Sequence, residues 1–165
     1  MKQLPFALSF VAALASGTAA HADSASPDQL ARGAYLARIT DCGGCHTPRD
    51  AQGVPIEAAA LSGGTIGFEI PGLATFWPPN LTQDATGLAG WSQEQIVAAI
   101  RTGVRPDGRI LAPVMPWGSF SAMTDEDAEA LAAYLLSLPG VANKVPAPLP
   151  PDGAATMPFY RVTLP

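Results

Sequence analysis

Histidine and cysteine are almost missing from this chain, which holds two of each in 165 residues. Charge is sparse too: 14% of side chains are charged, 9 Lys+Arg against 14 Asp+Glu, for a formal net charge of −5. Aromatic residues make up 7%. A nucleic-acid binder draws its affinity from basic side chains that neutralise phosphates, so an acidic chain with no Lys/Arg cluster and few rings argues against that class. A partner surface is expected to be basic rather than acidic. The length fits one domain. Glycine (16) and proline (17) stand well above average usage, yet below the level of low-complexity disorder, which implies a folded domain rich in loops.

Long apolar runs are confined to the N-terminus. Lys2 is followed by an apolar stretch from Leu4 to Leu14 and then by small residues ending in Ala20-His21-Ala22, the order of a secretory signal peptide. Residues 1–22 are therefore expected to be cleaved. The competing reading is an uncleaved anchor, but Pro5, Ser9, Ser16 and Gly17 interrupt the run, and a spanning helix needs about 20 mostly apolar residues. Export places the protein in an oxidising compartment, the periplasm if the host is bacterial. Nothing else in the sequence reads as a span, so membrane association is expected only through a partner.

Loss of His21 leaves one imidazole, His46, directly beside both thiols in Cys42-Gly43-Gly44-Cys45-His46. This C-x-x-C-H order is the attachment pattern of c-type haem. Two thiols separated by two residues match the spacing of the haem vinyl groups, and the adjacent imidazole is then held under the iron. Three blander readings compete. A thioredoxin-like dithiol would follow a strand, whereas the residues before Cys42 read as a helix. A structural zinc site wants four ligands, and the mature chain offers three, all adjacent. A Cys42–Cys45 disulfide would close a tiny loop of little stabilising value. The expected cofactor is one covalently bound haem c.

No second histidine remains for the other axial position, so a thioether is the natural ligand. The candidates are Met115, Met123 and Met157. Met115 lies in Ala112-Pro113-Val114-Met115-Pro116-Trp117, where flanking prolines fix φ and stiffen the loop. Met123 directly precedes a helix cap and reads as a hydrophobic contact onto the first turn. Met157 sits in a proline-rich tail. Met115 is the expected iron ligand opposite His46.

Three helices are expected. The first opens at Ser26-Pro27-Asp28-Gln29, a capping box with proline at the first helical position, and runs through Leu30, Tyr35 and Leu36 toward Cys42. A second capping box, Ser92-Gln93-Glu94-Gln95, starts a helix with the buried stripe Ile96, Ala99 and Ile100 that stops near Gly103. The third starts at Thr124, carries Asp125, Glu126 and Asp127 in its first turn, and ends at Leu138-Pro139-Gly140 with Leu131, Leu135 and Leu138 on one face. Residues 47–90 show no helical period and only a faint strand signal from Thr65 to Ile70. A structureless loop of that length normally counts against an assignment, but a buried porphyrin gives loop residues an apolar surface to pack on.

The sequence resembles class I mono-haem cytochromes c, and more narrowly the cytochrome domains that accept electrons from periplasmic dehydrogenases. The resemblance covers about residues 30–140. It rests on Gly33-Ala34-Tyr35-Leu36, the C-x-x-C-H motif, Pro79-Asn80-Leu81-Thr82, Thr86-Gly87-Leu88, Trp91-Ser92, the run from Ile100 to Arg109, Met115-Pro116-Trp117, Thr124-Asp125-Glu126-Asp127 and Tyr134 to Pro139. It implies an all-α cytochrome c fold, three main helices with long Gly/Pro-rich loops around one haem. The implied organisation is a signal peptide at 1–22, the cytochrome domain at 23–140 and a proline-rich tail at 141–165. It also implies thioethers at Cys42 and Cys45 and iron ligands at His46 and Met115.

The implied function is electron transfer without bond-making in a substrate, from a dehydrogenase donor to a terminal oxidase or other cytochrome. A His/Met pair suits this, since thioether ligation raises the potential and a filled coordination shell blocks small molecules. The alternative is a haem enzyme or gas sensor in which the distal methionine is labile or absent. Arg101, Arg105 and Arg109 are candidate partners for a haem propionate, each weighed against a solvated surface charge. Trp77, Asn80 and Trp117 carry donors that could reach the haem edge or propionates. The six prolines after Gly140 suggest either an extended segment wrapping the domain or a disordered terminus.

Overall fold

The structure, a computed structural model, describes residues 25–163; the expected signal peptide lies outside them. Helix α1 (Pro27–Ile39) starts where the Ser26 hydroxyl accepts a hydrogen bond from the Gln29 amide at 3.1 Å. Helix α5 (Asp125–Ser137) starts in the same way at Thr124, and its three first-turn carboxylates complement the helix dipole. It stops because Leu138 precedes Pro139 and is pushed into extended conformation, φ −68° and ψ 138°. The two helices pack together. At their contact a Cβ on Gly33 would stand 2.6 Å from the Tyr134 Cβ and closer still to the Ala130 carbonyl oxygen.

Helix α3 (Gln93–Thr102) carries a complete capping box between Ser92 and Gln95, and Gly103 ends it in the left-handed region at φ 74°. Its buried residues are Ile96, Ala99 and Ile100, as the sequence spacing predicts. With Leu36, Ala37, Leu131 and Leu135 from the other helices, and Leu61 and Leu88 from loops, Ile96 and Ile100 form the core. Each such Leu or Ile contributes about 1.5–3 kcal/mol by burial. Tyr35, beside buried Leu36, faces outward. It is 51% exposed, with the Arg32 guanidinium over its ring.

The all-α expectation needs correction. Two single-turn helices, α2 (Cys42–His46) and α4 (Trp117–Phe120), join the three longer ones, and a three-stranded sheet forms in order β2-β1-β3. Strand β1 (Gly67–Ile70) pairs antiparallel with β2 (Ala74–Phe76), Glu69 opposite Thr75, and parallel with β3 (Phe159–Tyr160), Phe68 opposite Tyr160. The hairpin is too short to show strong alternation, and its third strand comes from far downstream, so no local window contains the sheet. No helix among the described residues is long and apolar enough to cross a membrane.

Residues 141–163 run along the loop of residues 61–82. Leu149 and Thr75 exchange both backbone hydrogen bonds, at 2.8 and 2.9 Å, and Asn143 Nδ2 donates to the Ser62 carbonyl at 2.9 Å. Arg161 pairs with Glu69. These contacts give backbone groups at Ser62 and on the outer edge of β2 polar partners from the end of the chain.

Candidate functional site

The chain reverses at Asp41, whose left-handed conformation (φ 55°, ψ 38°) turns the end of α1 directly into α2. In that turn Cys42 and Cys45 are three residues apart and share a face. Both are free thiols, Cys42 half-buried and Cys45 exposed. Between them, a Cβ on Gly44 would press on the Asp41 carboxylate, which would have to swing aside. Burial pushes both thiols above their ordinary pKa, and the Asp41 charge adds to this at Cys45. A dithiol oxidoreductase needs the opposite shift, toward the thiolate.

His46 is 6% exposed, and its Nδ1 lies 2.8 Å from the Pro79 carbonyl. A carbonyl only accepts, so Nδ1 carries the proton and Nε2 keeps a free lone pair. This is the arrangement of a metal-ligating imidazole whose second nitrogen is oriented by a backbone oxygen. Burial lowers the pKa of His46, with the Pro79 bond opposing, and the ring is neutral at neutral pH. The backbone is pinned as well: Gly63 N–H donates to the His46 carbonyl at 2.7 Å. Beside Cys45 a cleft of about 370 Å³ opens, lined by Thr47, Arg49, Ile66, Phe68 and Tyr160 among others.

Met115 lies half-buried in a turn closed by its own N–H and the Ala112 carbonyl at 2.9 Å. Its carbonyl accepts from Trp117 N–H at 2.8 Å where α4 begins. This wall is anchored to the end of α3 by Trp117, whose ring lies 2.9 Å from where a Gly103 Cβ would stand. Met123 is partly buried against the core. Met157 is half-buried and lines a second cleft, of about 390 Å³, with Arg49, Ile66 and Pro158.

The donors suggested for a haem edge are engaged elsewhere. Trp77 Nε1 donates to the Pro158 carbonyl at 3.2 Å, Trp117 Nε1 to that of Leu111 at 3.3 Å, and Asn80 Nδ2 to Val141 and Thr86. Among the arginines, Arg101 pairs with Asp125 and Arg109 with Asp107. Arg105 differs. Its guanidinium lies over the Trp91 ring and 3.6 Å from Asp107, and its buried Nε has no hydrogen-bond partner. Sequence reasoning missed the Pro79 carbonyl that orients His46. Only the Pro79-Asn80-Leu81-Thr82 string marked that region.

Residues 30–139 match the Cytochrome c family. The chain is 37% identical over 131 residues to the cytochrome c subunit of a quinone alcohol dehydrogenase from Gluconacetobacter polyoxogenes, covering 79% of this chain and 25% of that one. It is 37% identical over 131 residues to the gluconate 2-dehydrogenase cytochrome c subunit of Pantoea cypripedii, covering 76% and 28%. It is 36% identical over 116 residues to the fructose dehydrogenase cytochrome subunit of Gluconobacter japonicus, covering 69% and 22%. The chain thus spans about a quarter of the length of these curated relatives. A thiol-flanked helical turn, a buried imidazole with one nitrogen free and a family match over two thirds of the sequence agree: the chain belongs to the cytochrome c family.

Proposed function

We propose that this chain carries one covalently attached haem c and relays single electrons in the periplasm, from a dehydrogenase to a respiratory acceptor. The observation that carries the reading is the His46–Pro79 hydrogen bond at the one-turn C-x-x-C-H helix, because it leaves the Nε2 lone pair free beside two thiols not joined in a disulfide. When bound, the group supplies an iron that alternates between ferrous and ferric states. Cys42 and Cys45 would hold it as thioethers, and His46 Nε2 and Met115, the latter in a loop stiffened by Pro113 and Pro116, would ligate its iron. One C-x-x-C-H motif and two cysteines in the sequence support a stoichiometry of one.

Arg105 completes the reading. The Arg105 Nε stands 3.6 Å from Asp107 Oδ2, within ion-pair reach but without a hydrogen bond, and a haem propionate would supply the close acceptor it lacks. Arg101 hydrogen-bonds Asp125, and Arg109 holds Asp107 at 2.7 Å, the close contact that Arg105 does not make. Removal of residues 1–22 on export delivers the thiols to the compartment where attachment occurs, and the dehydrogenase relatives support a donor of that class.

Expression with a haem-attachment system and a secretory route tests this. The purified chain is expected to gain the mass of one haem and to show a c-type spectrum, both lost in C42S/C45S; a colourless wild-type product overturns the proposal. Carbon monoxide decides against the gas-sensor alternative if the native ferrous protein stays unreactive at neutral pH.

A further inference from the structure

We infer that Asn80, together with the segment Val141 to Asn143, is the positioning device of the His46 imidazole; the inference rests on the haem reading above. The oxygen that receives the His46 proton belongs to the peptide plane between Pro79 and Asn80, so whatever immobilises Asn80 aims that oxygen. Asn80 is 1% exposed and its amide is fully occupied. Nδ2 donates to Thr86 Oγ1 at 3.0 Å and to the Val141 carbonyl at 2.8 Å, while Oδ1 accepts from Thr82 N–H at 2.8 Å and Thr82 Oγ1 at 2.7 Å. Thr82 Oγ1 in turn accepts from Val141 N–H at 3.0 Å. A primary amide has two donors and one oxygen with two lone pairs, and all are used here.

The same short segment reaches the other support of His46. Asn143 Nδ2 donates to the Ser62 carbonyl, and the next residue, Gly63, donates its N–H to the His46 carbonyl. The Asn143 N–H also returns to Thr86 Oγ1, at 3.2 Å. Residues 141–143 therefore clip together two loops that approach His46 from different stretches of chain, one at the ring and one at the backbone. The Nδ1–H···O bond raises the electron donation of the imidazole and so favours ferric iron. Loosening the clip lets the Pro79 oxygen turn away, which weakens that bond and raises the potential.

The test uses the full-length haem-loaded protein and the variants Thr82→Val, Thr82→Ser and Asn143→Ala. Hydrogen exchange of the His46 Nδ1–H in the ferrous state is read by NMR beside the amides of α1 and α5, with the reduction potential as second readout. In T82V and N143A the Nδ1–H is expected to exchange about tenfold faster or more, in keeping with the usual weight of outer-sphere partners, while the helix amides stay put and the potential moves up. T82S keeps the hydroxyl and should match wild type. Exchange that is unchanged, or that quickens only in step with the α1 and α5 amides, overturns the inference and leaves the segment a general stabiliser. Should T82V not fold, Thr86→Val, which removes from an exposed residue the hydroxyl that accepts from Asn80 Nδ2, takes its place beside N143A and is expected to show the same faster exchange. A wild-type chain without haem sinks the underlying reading, whereas a loaded chain with silent variants sinks the positioning role only.

Discussion

Arg32 on α1 and Asp127 on α5 form a two-pronged ion pair, Nε to Oδ1 at 2.8 Å and a terminal nitrogen to Oδ2 at 3.1 Å, across ninety-five positions of sequence. The hydrogen bond from Arg32 holds the Asp127 carboxyl below the ordinary carboxylate range, with Thr124 helping. A group whose folded pKa is depressed lends stability above its unfolded value and loses it as the pH falls through its folded value. Urea unfolding should therefore show wild type more stable than Asp127→Asn at about pH 7, the gap closing as the pH drops well below about 4. A gap that persists in acid would count against the pair as its source.

Gly33→Ala should weaken the α1–α5 contact. The added methyl meets the Ala130 carbonyl and the Tyr134 Cβ with no flexible end to give way, a cost of about 1–3 kcal/mol from overpacking. The thermal midpoint should fall accordingly, with the haem spectrum unchanged at temperatures where the protein is folded.

The three methionines should separate cleanly. Met115→Ala is expected to change the ferric and ferrous spectra and to open the iron to carbon monoxide. Met123→Ala should leave both untouched and cost about 2 kcal/mol or more of stability, since its side chain packs on the core. Met157→Ala should leave the spectrum alone. A spectral change at Met157 with none at Met115 would reverse the axial assignment.

Arg105→Gln removes a positive charge from beside the proposed propionate. Ferric iron is then less disfavoured, so the reduction potential should fall, while Arg109→Gln, already paired with Asp107 in solvent, should leave it near wild type. Equal effects would show that overall charge, and not the orphaned Nε, is responsible.

What the sequence made legible was chemistry held in adjacent residues. Ser26, Ser92 and Thr124 act as caps where their patterns place them, the Ile96/Ala99/Ile100 stripe is buried, and Cys42 to His46 forms one turn. The remainder depends on partners distant in the chain. Nothing near His46 announces that Pro79 receives its proton, and nothing near Asn80 announces Val141. The indole of Trp77 looked available because its acceptor, the Pro158 carbonyl, lies 81 positions away. Arg105 could be told from Arg101 and Arg109 only after their carboxylates were located.

The pairing of Glu69 with Arg161 spans 92 positions, which bears on how the nascent protein matures. Strand β1 lacks one neighbour until residues 159–160 have been synthesised, and closing so long a loop is entropically slow. The thiols at 42 and 45 emerge much earlier, while Tyr160, which borders the cleft beside Cys45, has yet to arrive. Completion of the sheet therefore waits on the last residues to be made, and with it the wall that Tyr160 gives the cleft beside Cys45.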